Sequence, residues 1–483
     1  MMCLVCLILT GAISTGVTGM TDSEREWMIR RVEERIDEIG LSSAQTGDSG
    51  ALGWGEGHIL YAIINMFYAT GDTKWLDIFK RHVDTALCFL TDHDDDGFLS
   101  WHTNYYTPEP ARLKAFAAAG NRGTGRIEVQ EEITKKESWN TRTVNHRFRV
   151  LFLTRGSFIV IDEEMKMPAL LSPHSKPGLH WLPIQRYEPG KVVWRARGLR
   201  FKISGQPEPG DSFVILPQKA PEYDSVVHDG MMTMPIARFI EIVLSDEKLK
   251  ERYGETAEGY LAILERHFFE KWMSEPTKGR PVRWVEFPDG RGLFVWEPTS
   301  FRKKRTSLPM NQYTAFGRTV IKLWQITGDK RYLDVATKMA RMVKSLLKVK
   351  DDAYWWYYAE PVADWDGREK PSFVEHTHYA DMDVGFMIDA YEAGIVFGEE
   401  DMRKLTNTFI KVMWNGSFDD PKVAGDVLGG NGTSEVLCDF VRLAQFDPRV
   451  WEICYRINRQ SKNIKRLALI LACERYVKSG KEP

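Results

Sequence analysis

Apolar and polar positions follow a helical period over most of this chain. Between Thr21 and Gly40, the apolar residues Met28, Val32 and Ile36 recur every fourth position among charged ones, a pattern typical of an amphipathic helix. Similar periodicity predicts helices at roughly 228–245, 247–274, 377–396, 399–413, 434–445 and 450–479. The chain is therefore predicted to be mainly α.

One helical hairpin occurs twice. FYATGDTKWLDIFKRHVDTAL and LWQITGDKRYLDVATKMARMV align without a gap through T-G-D-x-x-(aromatic)-L-D. In the first copy, Gly71 can end one helix, and Asp72 or Thr73 can cap the next. Two matching hairpins favour an array of repeated helix pairs. The predicted helices suffice for about five to six such hairpins.

One region alternates with a period of two instead. Between about Arg126 and Pro217, several runs rich in β-branched and aromatic residues are bounded by Gly and Pro, as strands are. Because helices resume on both sides, we interpret this region as an insertion. The predicted organisation is a helical domain in two parts, 21–125 and 221–483, with a β-rich insertion at 126–220.

The first 20 residues are typical of a signal peptide. An apolar stretch too short to span a bilayer is followed by small residues, although no positively charged segment precedes it. We therefore expect a secreted or periplasmic protein. No later segment is apolar enough for a transmembrane helix, so no membrane contact beyond the leader is expected.

Composition narrows the class of partner. The chain has 65 basic and 67 acidic side chains, and this balance argues against a nucleic-acid partner. Aromatic residues make up 12% of the chain; their flat faces suit sugar rings, but they also fill large cores. Of the six cysteines, two lie in the leader and four are scattered, so neither a zinc framework nor a disulfide scaffold is predicted. No cofactor is predicted.

The repeated T-G-D hairpin, together with WGEGHILYA, PMNQYTAFG and EHTHYADMDVGF, resembles the six-hairpin (α/α) toroid superfamily of carbohydrate-active enzymes. No single family is matched. The superfamily contains polysaccharide lyases, uronyl epimerases and glycoside hydrolases. The resemblance therefore predicts the fold more specifically than it predicts the reaction. It implies an (α/α) toroid interrupted by the β-rich insertion, and an enzyme acting on a uronic-acid-containing polysaccharide.

In such a toroid, the cleft lies at the end where the inner helices begin. Four polar clusters fall at positions of this kind, residues 54–61, 226–235, 308–313 and 375–383, and a fifth, residues 100–106, lies in the loop after the first hairpin. We hypothesise that they converge on one cleft, with His228 and His378 close enough for one sugar unit to bridge them. That distance is about 10 Å on the scale of paired-carboxylate sites.

Elimination from a uronate requires a group that neutralises the carboxylate, a base for the C5 proton and an acid for the leaving oxygen. The candidates for these roles are His228, His378, Tyr379, Asn311 and His102. The candidates for binding substrate, as aromatic platforms or polar contacts, are Trp54, Glu56, His58, Trp101, Tyr105, Tyr106, Asp229, Gln312, Trp356, Tyr358 and Asp381.

The favoured interpretation is a polysaccharide lyase that uses C5-proton abstraction and β-elimination. One alternative is a uronyl hydrolase-like glycoside hydrolase, which needs two carboxylates flanking the scissile bond. Glu56, Asp229, Asp381 and Asp383 are available for that role. The other alternative is a non-catalytic glycan-binding protein. In each case the expected partner is an acidic glycan.

Two clusters have simpler explanations as well. His376 and His378 match neither H-x-x-x-H nor H-E-x-x-H, so no metal site is predicted there, and a helix start alone would explain them. Residues 92–97 read D-x-D-x-D-G, like the start of a calcium loop, but Thr103 stands where an EF-hand has Glu. A turn is favoured over a calcium site.

Overall fold

The computed structural model describes residues 19–103, 113–129, 147–163, 167–168, 184–196, 199–217, 222–299, 304–435 and 437–478. The predicted leader, up to residue 18, lies outside the described residues, as do Tyr105 and Tyr106.

The described chain is mainly α, as predicted. Its longer helices are α1 Asp22–Ile39, α2 Gly57–Thr70, α3 Lys74–Leu87, α4 Val226–Ser245, α5 Glu247–Ile263, α6 Met310–Thr327, α7 Lys330–Leu346, α8 Thr377–Glu392, α9 Glu399–Asn407, α10 Arg449–Asn458 and α11 Ile464–Cys473. Shorter pieces extend or join them: the helical turns Ser49–Ala51, Lys271–Met273 and Arg475–Lys478, the π-helical segments Leu52–Glu56, Leu264–Glu270 and Thr408–Met413, and the 3₁₀ segment Asp439–Gln445.

The two T-G-D sequences form the same turn. Gly71 ends α2 and Gly328 ends α6, each in the left-handed conformation with a φ of 69°, which glycine adopts without steric cost. Asp72 and Asp329 then accept hydrogen bonds from backbone N–H groups of the following helices, at 2.9 and 2.8 Å. The repeated hairpin predicted from the sequence is therefore present.

The helices pack in a cyclic order. Contacts run from α2 to α4, α6, α8, the 3₁₀ segment and α11, and α11 returns to α2. A second helix packs against each member of this cycle: α3 on α2, α5 on α4, α7 on α6, α9 on α8, α10 on the 3₁₀ segment and α1 on α11. At the closest approach, a Cβ on Gly230 of α4 would lie 2.3 Å from the backbone N of Phe316 on α6, so only glycine fits there.

Strands occupy the chain between α3 and α4: β1 Leu113–Ala117, β2 Arg126–Val129, β3 Phe148–Thr154, β4 Ser157–Asp162, β5 Met167–Pro168, β6 Ile184–Arg186, β7 Val192–Ala196, β8 Leu199–Ser204 and β9 Ser212–Pro217. One antiparallel sheet has the order β1-β9-β3-β4-β5, with β6 also paired to β4, and another has the order β2-β8-β7.

These two sheets share a core of their own. Phe158 of the first sheet and Phe201 of the second have ring centroids 6.3 Å apart. Both belong to a buried cluster that contains no residue of the helical cycle. The described strands begin at Leu113, earlier than the boundary predicted at 126, because the first strand pairs with the last one, β9. Burial of apolar side chains between two sheets is the usual way in which such strands are stabilised.

The helical part also contains strands that the periodicity did not predict. They are β10 Val282–Glu286, β11 Gly292–Trp296, β12 Thr306–Ser307, β13 Lys348–Lys350, β14 Ala353–Trp355, β15 Val423–Ala424 and β16 Thr433–Ser434. In addition, the stretch predicted as helical over 450–479 is divided at residues 459–463 into α10 and α11. None of the described helices is long and apolar enough to cross a membrane.

Candidate active site

A cavity of about 400 Å³ lies at the end of the helical cycle where its members begin. Its lining comes from the segment before α2, the first turn of α8, the residue before the 3₁₀ segment and the start of α11. The lining residues are Trp54, His58, His378, Tyr379, Asp381, Met382, Cys438, Asn463, Lys465 and Arg466. We call this space the Trp54 cavity. Its volume lies in the range of small-molecule sites.

One wall of the Trp54 cavity is aromatic and apolar. The Trp54 ring is half-buried and stands edge-on to His58, with centroids 6.4 Å apart. The Tyr379 ring lies 4.0 Å from that of His378. Trp54 and Tyr379 both pack on a small buried cluster that includes Met382. Such a wall can receive the apolar face of a sugar ring.

A second wall of the cavity carries positive charge at the start of α11. Lys465 Nζ lies 3.2 Å from Asp381 Oδ2. Arg466 NH1 is 3.2 Å from a Glu435 carboxylate oxygen, while Arg466 Nε is buried and has no hydrogen-bond partner among the described residues. Cations at a helix N-terminus are disfavoured by the helix dipole. The carboxylates of Asp381 and Glu435 offset this cost at the start of α11.

Burial controls the protonation of the cavity's titratable groups. It lowers the pKa of His58 to about 3, and it lowers the pKa of His378, with a further contribution from nearby His376. Both imidazoles are therefore neutral near pH 7. Burial also raises the pKa of the Asp381 carboxyl, against the opposing effect of Lys465.

Five of the residues predicted from the sequence are brought together here. Trp54, His58, His378, Tyr379 and Asp381 all line the Trp54 cavity. A sixth, Tyr358, borders it: the Tyr358 ring lies 5.3 Å from that of Tyr379 and stacks on Phe373. Three side chains of the stretch EHTHYAD, those of His378, Tyr379 and Asp381, therefore line one cavity.

His228 lies behind the aromatic wall. Its ring meets the Trp54 ring edge-on at 5.7 Å, and its Nδ1 is 3.0 Å from Ser49 Oγ. Burial lowers the pKa of His228 to about 3. Asn311 is buried in the first turn of α6, and its Oδ1 has no hydrogen-bond partner among the described residues. Neither His228 nor Asn311 lines the Trp54 cavity.

Three polar candidates are held by partners elsewhere. Glu56 is fully buried, where it accepts a hydrogen bond from Ser43 Oγ and lies 2.7 Å from His82 Nδ1. Asp229 accepts hydrogen bonds from Lys271 Nζ and Trp272 Nε1, both at 2.8 Å. The remaining candidate of this kind is His102, whose Nδ1 lies 2.8 Å from Glu222 Oε2. These contacts hold the fold together and lie outside the cavity.

The other candidates are core or surface residues. Trp101 and Trp356 are fully buried, and their indole N–H groups donate to the Ala86 carbonyl and to Asp383. Gln312 is half-buried at the start of α6 and does not line the cavity. Tyr105 and Tyr106 lie outside the described residues, so their predicted contact with substrate stays a prediction.

Asp383, the fourth carboxylate offered for hydrolysis, belongs to a buried acidic pair with Glu375. Asp383 accepts hydrogen bonds from Thr314 Oγ1 at 2.8 Å and Trp356 Nε1 at 3.0 Å. Burial raises the pKa of Asp383 to about 7, and burial together with the Asp383 charge raises that of Glu375 well above its usual range. At neutral pH the pair retains a proton, and it supports the start of α8 from below.

The D-x-D-x-D-G segment forms a turn. The three carboxylates of Asp92, Asp94 and Asp96 lie within 4.8 Å of one another. Asp92 accepts hydrogen bonds from two backbone N–H groups inside the turn, and Asp96 forms a 3.2 Å ion pair with Arg280. These contacts are sufficient to explain the acidic residues as turn formers.

Sequence reasoning missed the cationic wall. Asn463, Lys465 and Arg466 were hidden because residues 450–479 were interpreted as one helical stretch. A signal was present: Asn463 caps α11 by accepting a hydrogen bond from the Arg466 backbone N–H, and two cations in a first helical turn run against the usual charge pattern. Cys438 and Met382 carried no comparable signal.

The chain matches no protein-family model and no curated protein. It is similar to an α-1,6-mannanase of glycoside hydrolase family 76 from Salegentibacter sp. HEL1_6, at 9% identity over 94% of this chain and 99% of that one, with a TM-score of 0.29. A family 76 glycoside hydrolase from a bovine Bacteroides thetaiotaomicron strain matches at 9% identity over 77% and 100%, with a TM-score of 0.27. Flagellar FlgL from Xanthomonas campestris matches at 14% identity over 45% and 79%, with a TM-score of 0.16. Likenesses this weak carry no argument about fold or function, so any function has to rest on the site itself.

Proposed function

We propose that this chain forms an (α/α) toroid and is an enzyme that cleaves an acidic glycan in the Trp54 cavity. The cyclic packing order of α2, α4, α6, α8, the 3₁₀ segment and α11 supports the toroid. The observation that carries the function is that Trp54 and Tyr379 face the same space as Lys465 and Arg466. An apolar platform and a cationic wall in one cavity suit a sugar ring that bears a carboxylate.

Charge favours an acidic ligand over a neutral one. Within the cavity, Asp381 is the described carboxylate, and it is already paired with Lys465. The Arg466 guanidinium is paired with Glu435 through NH1, but its buried Nε–H has no acceptor among the described residues, and such a donor costs free energy until it is paired. A substrate carboxylate would supply that acceptor in a charge-assisted hydrogen bond.

Elimination is the reaction for which the cavity supplies each chemical group. His378 is neutral near pH 7, so it can accept the C5 proton, and the Tyr379 hydroxyl can donate a proton to the leaving oxygen. Arg466 would neutralise the substrate carboxylate, which makes the C5 proton more acidic. The electron pair of the broken C5–H bond forms the C4–C5 double bond as the C4–O bond breaks.

Hydrolysis is the second candidate, and Asp381 favours it. A carboxyl group with a raised pKa in a glycan cavity is the usual general acid of a glycosidase. The family 76 structures are glycoside hydrolases, although their weak likeness adds nothing to this point. Among the described residues, no second carboxylate lines the cavity, because Glu56, Asp229 and Asp383 have buried partners elsewhere.

The test is incubation of the purified protein with a panel of acidic and neutral polysaccharides, in which ultraviolet absorbance and reducing ends are both followed. Elimination yields both signals, because the new double bond absorbs, whereas hydrolysis of a saturated substrate yields reducing ends alone. His378→Gln then separates the two mechanisms, since it should abolish elimination and leave hydrolysis by Asp381 in place. Asp381→Asn is compared only together with its free energy of unfolding, because Asp381 is paired with the buried Lys465. If the protein binds acidic glycans and yields neither signal, the proposal that it is an enzyme is wrong.

Export is part of the same proposal. A signal peptide at residues 1–20 would place the enzyme where extracellular polysaccharide is found. Amino-terminal sequencing of the protein recovered from culture medium or periplasm tests this. A mature chain that begins near residue 21 is expected, and retention of the intact leader in the cytoplasm would contradict it.

A further inference from the structure

A second, smaller pocket lies at the other end of the helical cycle, where α2, α8 and α11 end. Its volume is about 90 Å³. Its charged lining residues are Arg238, Lys322, Arg442, Arg475 and Glu392. The lining also includes Tyr68 and Tyr476. We call it the Arg238 pocket. It shares no lining residue with the Trp54 cavity.

Arg238 is incompletely paired at the base of this pocket. Its side chain is only 7% exposed, and its Nε has no hydrogen-bond partner among the described residues. Its described carboxylate partner is Asp389, which NH2 reaches at 3.4 Å. Asp389 also pairs at shorter distance with Arg318 and Arg442, at 2.6 and 2.7 Å. One carboxylate is therefore shared among three guanidinium groups.

The lining adds a further cation without a carboxylate. Lys322 is paired with Glu241 at 2.9 Å, and Arg442 is paired with Glu392 at 2.9 Å. Arg475, in contrast, forms no ion pair with a described carboxylate. It donates to the Tyr476 hydroxyl at 3.1 Å and lies over the Tyr68 ring at 5.6 Å. The lining of the pocket thus includes a buried arginine whose Nε–H has no partner among the described residues, and an exposed arginine without an ion pair to a described carboxylate.

We propose that the Arg238 pocket binds a small tetrahedral dianion such as inorganic phosphate or sulfate. A buried and an exposed arginine line the same pocket, and guanidinium groups match the oxygen geometry of phosphate. The volume admits a small ion and excludes a sugar ring. This inference is independent of the proposed glycan activity.

A competing explanation is that these cations only offset the negative ends of the helix dipoles that converge here. That explanation predicts no saturable ligand, and the two accounts therefore differ in a direct binding measurement.

The test is isothermal titration calorimetry of the full protein with sodium phosphate and, separately, with sodium sulfate, against sodium chloride at equal ionic strength. Saturable binding of phosphate and sulfate at one site per chain is expected. Arg475→Gln should weaken it about tenfold, the loss typical of one charge-assisted hydrogen bond. Because Arg475 is exposed, this variant should remain folded. Arg238→Met should abolish binding if it folds.

Arg331→Gln is the matched control, since Arg331 is another exposed arginine, lying over the Tyr332 ring at 5.7 Å. It removes an arginine charge that does not line the pocket and should leave phosphate affinity unchanged. Trp54→Ala should also leave it unchanged, which separates this proposal from the proposed function. Absence of saturable binding, or equal weakening by Arg475→Gln and Arg331→Gln, would overturn the site.

Discussion

Lys465 Nζ lies 3.2 Å from Asp381 Oδ2, which places a buried ion pair in the wall of the candidate active site. Both side chains are at least nine-tenths buried. The pair links the first turn of α11 to the first turn of α8, so two helices that are far apart in sequence present their ends to one cavity. Beside it, Arg466 pairs with Glu435 through NH1 and keeps an Nε–H with no hydrogen-bond partner among the described residues.

Removal of one partner of this pair should destabilise the fold. Lys465→Met would leave the Asp381 carboxylate buried without its cation, and the expected loss is about 3–5 kcal/mol in the free energy of unfolding. Urea denaturation followed by circular dichroism measures it. Lys74→Met is the control: Lys74 forms an exposed pair with Glu33, for which about 0–1 kcal/mol is expected. Equal losses of unfolding free energy in the two variants would show that the buried ion pair contributes no more to stability than the exposed one.

Tyr379→Phe should reduce turnover without unfolding the protein. The hydroxyl is assigned to the leaving oxygen, and loss of a general acid commonly lowers kcat by about 10²–10⁴-fold. The ring and its packing against His378 are retained, so the melting temperature should not change. Tyr358→Phe is the neighbouring control, since Tyr358 borders the cavity without a proton-transfer role. An unchanged kcat in Tyr379→Phe would remove the residue from the mechanism.

The buried histidines predict a dependence of stability on pH. Burial lowers the pKa of His228 in the folded protein to about 3, below the value of about 6.5 expected in the unfolded chain. The contribution of neutral His228 to the free energy of unfolding is fully present above pH ~6.5. It is lost as the pH falls toward 3, by up to about 1.4 kcal/mol per pH unit. His228→Gln should flatten this part of the profile of unfolding free energy against pH.

His93 provides the control with the opposite sign. Its ion pair with Asp224 raises its pKa in the folded state, so its contribution is present below the unfolded pKa and is lost as the pH rises through the folded one. His93→Gln should therefore flatten the alkaline side of the same profile. If His228→Gln leaves the acidic slope unchanged, the imidazole is not buried in its neutral form.

Local sequence patterns predicted the helices well. The T-G-D turns at Gly71 and Gly328 depend on short-range rules, namely a left-handed glycine followed by a capping Asp, and both appear as expected. The early start of the strands at Leu113 was missed because β1 is defined by its pairing with β9, about a hundred residues later. Such long-range pairing leaves no local signature.

Only part of the candidate site could be predicted, because local patterns do not show which residues meet in the folded chain. Trp54, His378 and Tyr379 could be found because polar and aromatic residues at the start of apolar helices stand out. Glu56 and Asp229 have the same local appearance, but His82 and Lys271 bind them in the folded chain. Only the three-dimensional structure distinguishes a carboxylate in a cavity from one with a buried partner.

The central claim is that Arg466 and its neighbours bind an acidic sugar in the Trp54 cavity. The most direct measurement compares the affinity of the protein for an acidic oligosaccharide with its affinity for the same oligosaccharide after reduction of its carboxylates to alcohols. We expect the reduced ligand to bind at least tenfold more weakly, as for loss of one charge-assisted contact. Arg466→Gln should remove this discrimination, and Trp27→Ala, at an exposed tryptophan on α1, should preserve it. Equal affinity for the two ligands, or discrimination that survives Arg466→Gln, would contradict the account.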